Sequence, residues 1–76
     1  GEVDAQYNLG LMYANGLGVL QDYGLAHMWW NICSSNGDED CRKKRKQVET
    51  KMSPQQIEKA QQLASRNTHF TTGSKL

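Results

Sequence analysis

The chain has 76 residues, nine Lys and Arg against eight Asp and Glu, and a formal net charge of +1. That length holds one small unit with a thin core, and the near-even charge gives no global drive toward nucleic acid or a charged membrane. No run of 18 apolar residues occurs, so no membrane-spanning helix is expected. Hydrophobic content of 37% is low for an independent domain, which points to a larger parent. No signal peptide is visible, but the first residue is Gly1 rather than Met, so this says nothing about compartment.

Residues 5–37 read as two helices joined by a glycine turn. Ala5, Leu9, Met12 and Tyr13 recur at spacings of three and four, which places them on one helical face toward a core. Gly10 interrupts that pattern. A mid-helix glycine costs roughly 1 kcal/mol against alanine, so a close approach by a neighbouring helix is expected there. Asn15-Gly16 ends the first helix, because glycine tolerates the left-handed conformation of a helix C-terminus. Asp22 can cap a second helix, whose apolar face carries Leu25, Ala26, Trp29, Trp30 and Cys33. His27 is expected on its surface. Asn36-Gly37 stops it.

The spacings of Ala5, Leu9, Gly10, Tyr13, Gly16, Gly18, Val19, Asp22, Ala26, Trp29, Trp30 and Gly37 resemble the Sel-one-like repeat (SLR), a relative of the tetratricopeptide repeat. Leu20 stands where that family usually has Pro, and Cys33-Ser34 where it usually has Ala-Ala. The resemblance covers about half the chain. It implies an all-α fold of antiparallel helix pairs in an SLR/TPR-like solenoid.

Gly1-Glu2-Val3-Asp4-Ala5 and Gly37-Asp38-Glu39-Asp40-Cys41 share one pattern at an offset of 36, as a repeat architecture requires. The second copy then decays. Arg45 and Lys46 stand where the first has Leu9 and Gly10, and Glu49 where it has Tyr13. Cys41, Val48 and Met52 still share a helical face, so a third helix is expected to pack back on the hairpin and present a polar exterior, as a solenoid cap must. Ser53-Pro54-Gln55-Gln56 is a capping box with Pro at the first helical position. It opens a fourth helix to about Arg66, with a short stripe of Ile57, Ala60, Leu63 and Ala64, expected to dock loosely. The chain thus divides into one complete repeat at 1–37, a degenerate second repeat with capping helices at 38–66, and a flexible tail at 67–76, the C-terminal part of a longer bacterial protein.

Cys33 ends the second helix and Cys41 begins the third, at positions where the resembled repeat has small residues facing each other across the Gly37 turn. Resemblance to the cysteine-rich SLR proteins of bacteria implies a disulfide at this spacing, and with it an oxidising compartment, periplasmic or secreted. The residues alone also allow two free thiols packed as small hydrophobes, which would suit the cytoplasm. Arg42-Lys43-Lys44-Arg45-Lys46 resembles a phosphate-binding run, but one helical turn of it points in all directions, so a solvated cap helix is the simpler reading. His27 and His69 lack ligand spacing, and no metal or cofactor is expected. Gly16 and Gly18 lack the Gly-Lys-Ser/Thr of a phosphate loop. No serine has a paired base, and Ser35 is followed by Asn36-Gly37-Asp38 rather than an S-x-x-K motif, so no enzyme is expected.

The expected function is a protein–protein interaction scaffold that holds a peptide or partner protein in a concave groove. On the tetratricopeptide analogy the groove is lined by Asp4, Tyr7, Leu11 and Ala14, continued by Lys43, Gln47 and Thr50. Two alternatives come from other classes. One is the β-lactam binding or hydrolysis linked to cysteine-rich SLR proteins. The other is a nucleic-acid adaptor acting through residues 42–46.

Overall fold

The computed structural model describes residues 2–72, with side chains to residue 66. Four helices follow one another: α1 (Glu2–Asn15), α2 (Tyr23–Ser35), α3 (Glu39–Glu49) and α4 (Pro54–Thr72). The fold is all-α, with no strand among the described residues.

The helix ends are where the local chemistry puts them. Gly16 (φ 67°) follows α1, and the Leu17 N–H reaches back to the Met12 carbonyl at 2.9 Å. Gly37 (φ 94°) follows α2, with the Gly37 N–H donating to the Ser34 carbonyl and the Asp38 N–H to the Cys33 carbonyl. Both closures satisfy carbonyls that a helix end leaves free, and both need a left-handed residue that glycine supplies without strain. Asp22 accepts from the Leu25 N–H at 3.1 Å and Asp38 from the Cys41 N–H at 3.0 Å, capping α2 and α3. The box before α4 is closed in both directions: the Ser53 N–H donates to Gln56 Oε1 and the Gln56 N–H to Ser53 Oγ.

α2 is the centre of the fold and is packed against α1, α3 and α4. It buries Ala26, His27, Met28, Trp30 and Cys33. Ala26, Trp30 and Cys33 join Cys41 and Val48 of α3 in one core cluster, flanked by Val3, Tyr7, Leu11, Tyr13 and Ala14 of α1, with Tyr23 and Met52. The expected approach at Gly10 is real. A Cβ there would collide with the Trp30 indole, whose Nε1–H donates to the Tyr7 carbonyl at 3.1 Å. Without a side chain, α1 lets the indole lie against its backbone.

That contact also sets the phase of α1, and it differs from the expected one. Ala5 is exposed, and Leu9 is half-buried outside the core cluster. Of the expected face Tyr13 packs against the core, and the rest of the face toward α2 runs through Val3, Tyr7, Gly10, Leu11 and Ala14. Leu25 and Trp29 are likewise only half-buried, while Met28 and His27 are enclosed.

α4 buries Ala60 and Ala64 to 1% and 4% exposure, and its main contacts are with α2. Two alanines one turn apart let this short stripe lie close against α2. The helix continues six residues past Arg66, and no Gly or Pro stands between Arg66 and Gly73 to stop it. The rest of the expected tail, 73–76, lies outside the described residues.

Candidate partner-binding groove

Between α1 and α3, with α2 beneath, lies a groove of about 150 Å³. Leu11, Ala14 and Asn15 form its α1 wall, and Lys44 and Gln47 its α3 wall. Trp30, Val48 and Tyr23 form the floor, with Lys51 at the mouth. Trp30 and Val48 are 3% and 4% exposed, so the floor presents a small apolar surface. Lys51 Nζ stands 5.7 Å from the centroid of the Tyr23 ring, within reach of a cation–π attraction.

Three of the expected groove residues, Leu11, Ala14 and Gln47, meet in this groove. The others do not line it. Tyr7 packs against the core, and its carbonyl holds Trp30. Asp4 and Lys43 are exposed elsewhere. The Thr50 hydroxyl donates to the Gln47 carbonyl at 2.7 Å and closes the end of α3. Tyr23, Lys44 and Lys51 also line it. Lys44, Gln47 and Lys51 do recur at spacings of three and four, which was the available signal. On α3 the lining keeps Gln47 and has Lys44 and Lys51 in place of Lys43 and Thr50.

The Sγ atoms of Cys33 and Cys41 are bonded, with the Cα atoms 5.9 Å apart, and both residues are fully buried. The bond fastens the end of α2 to the start of α3 across the Gly37 turn. Three of the described serines are occupied structurally: Ser53 caps α4, the Ser35 hydroxyl donates to the Ile32 carbonyl, and Ser34 receives Arg45. Among the described residues, no three His, Cys, Asp or Glu side chains converge as metal ligands. No helix among them is long and apolar enough to cross a membrane.

Residues 3–38 match the family model of the Sel1 repeat. This part of the chain is similar to a Sel1 repeat. The match covers α1, the glycine turn, α2 and the Gly37 stop, which is the part of the molecule organised by the Gly10–Trp30 contact. Sel1 repeats are in general protein–protein interaction modules. No curated protein and no solved structure matches the chain.

Beyond the matched residues, α3 docks on α2 through polar contacts at the positions where the repeat pattern is lost. Arg45, equivalent to Leu9, is half-buried and donates from Nη1 to Asn31 Oδ1 at 3.1 Å and to Ser34 Oγ at 3.4 Å. Glu49, equivalent to Tyr13, lies 2.7 Å from His27 Nε2. The expectation that His27 is a surface residue is therefore wrong: it is fully buried. With α1, α3 and α4 all packed against α2, its interior face is wide enough to take in His27 beside Trp30, and a carboxylate 22 residues away supplies its partner. His27 Nδ1 has no partner among the described residues.

The basic run is accordingly divided. Arg45 turns inward, Lys44 lines the groove, and Arg42, Lys43 and Lys46 are exposed. Arg42 Nη2 lies 2.7 Å from Glu39 Oε2. Its hydrogen bond, and then its charge, hold the Glu39 carboxyl below the usual carboxylate range.

Proposed function

We propose that this chain is a partner-docking module whose binding surface is the groove between α1 and α3. One observation carries the reading: an open groove over Trp30 and Val48, walled by two helices, in a chain whose residues 3–38 match the Sel1 repeat. A concave site with an apolar floor and a few polar groups at its rim suits an inserted peptide side chain. The closed Cys33–Cys41 pair supports an oxidising setting, the periplasm or exterior of a bacterium. Ala5, Leu9 and Met12, outside the core cluster, offer an apolar face for a neighbouring repeat in a longer array.

The test is a comparative pull-down with Leu11→Ala, Gln47→Ala and, on the exposed side of α4, Lys59→Ala. Partners captured by the parent and by Lys59→Ala should be lost from the groove variants at unchanged helicity by circular dichroism. Equal capture by all four proteins would put the binding surface elsewhere.

A further inference from the structure

We propose that the groove takes an acidic peptide segment in which one apolar side chain is flanked by carboxylates. This rests on the reading of the groove as the docking site and adds the chemistry of its occupant.

The groove is sized for one side chain rather than a helix: about 150 Å³ over Trp30 and Val48. Its charge is one-sided. Lys44 and Lys51 line it, and none of the described lining residues is acidic. Of the α3 carboxylates, Glu49 is turned to His27 and Glu39 to Arg42, while Asp40, one turn before Lys44, is exposed outside the lining. Lys44 is half-buried, so its methylene stem lies along the wall while the ammonium stays in water. Lys51 is held over the Tyr23 ring at the mouth. An apolar side chain seated on the floor therefore has a cation within reach on the α3 side and another at the mouth.

The same geometry argues against a nucleic-acid strand. Binding of single strands relies on free aromatic faces for base stacking and on a continuous basic track. Here Trp30 is buried with its Nε1–H committed to the Tyr7 carbonyl, and the Tyr23 ring is covered by Lys51. Arg45 points inward and Arg42 is paired.

The experiment is fluorescence anisotropy with a labelled peptide of one leucine between paired glutamates, alongside its glutamine counterpart and a single-stranded oligonucleotide of equal charge. Amide chemical shifts locate each contact. The acidic peptide should shift Leu11, Ala14 and Gln47. Its affinity should fall about tenfold in Lys44→Glu/Lys51→Glu, as two exposed ion pairs become repulsions, and should weaken at high salt. Lys59→Glu should bind as the parent does. Unchanged thermal unfolding of the double variant, or a smaller loss in Lys44→Gln, separates charge from folding. If the glutamine peptide shifts the same amides with equal affinity, the groove stands and the acidic preference is overturned. If the oligonucleotide binds there more tightly than the peptide, a nucleic acid replaces the peptide. If no peptide in a mixed-sequence library shifts those amides, the groove reading falls as well.

Discussion

α1 and α3 stand 36 residues apart in equivalent places, yet different physics holds each to α2. α1 is held by shape. Gly10 leaves a gap, Trp30 fills it, and one indole hydrogen bond fixes the ring. α3 has lost that apparatus. Lys46 occupies the place of Gly10 and faces solvent, while Arg45 and Glu49 reach Asn31, Ser34 and His27, and Cys41 is bonded to Cys33. A helix can thus keep its place after most of its repeat signature is gone, when a short apolar stripe, here Cys41 and Val48, is joined by polar complements and a covalent tie on the receiving helix.

This contrast can be broken most severely at Trp30. Trp30→Ala should remove about 3–5 kcal/mol, a large part of the stability of a 76-residue chain, and chemical denaturation should show the loss as a lowered midpoint. Next is the tie on the other side. Replacing both Cys33 and Cys41 with serine should cost about 2.5 kcal/mol from the released short loop. Hydrogen exchange should then show α3 amides losing protection before those of α1; equal loss in both would mean that the disulfide does not act locally.

Gly10→Ala sharpens the shape side. By helix propensity alone it would stabilise α1 by roughly 1 kcal/mol. Collision with the indole should outweigh that gain and leave a net loss of about 1–2 kcal/mol; a raised melting temperature would show that Trp30 yields easily. The smallest effect tests the polar side. Glu49→Gln keeps the shape but weakens the bond to His27, with an expected cost of about 1 kcal/mol. No measurable change in the unfolding midpoint would mean the pair is a bystander to α3 docking.

Much of this architecture was legible in the residues. Asn15-Gly16, Asn36-Gly37 and the Ser53–Gln56 box act within four or five residues, so their meaning is local. Gly10 was legible for a related reason: a glycine in a helical pattern asks for a neighbour. The phase of α1 was not. Apolar residues lie on both of its sides, Val3, Tyr7 and Leu11 on one and Leu9 and Met12 on another, and periodicity does not say which side meets α2. His27 was misplaced because its burial depends on a carboxylate in another helix. The groove was legible at Leu11, Ala14 and Gln47, where helical phase suffices, and not at Tyr23 or Lys51, which arrive through the turns.

The central position of α2 has a consequence for how the molecule comes apart. In a linear array each unit meets only its neighbours, energies add along one dimension, and an end can open alone. Here the principal contacts of α1, α3 and α4 all converge on one helix, so the network is a star rather than a chain. An arm can loosen without unzipping the next, but the hub cannot open without releasing all three. The slowest-exchanging amides should therefore sit in α2 around Ala26, Trp30 and Cys33, and they should report the free energy of global unfolding.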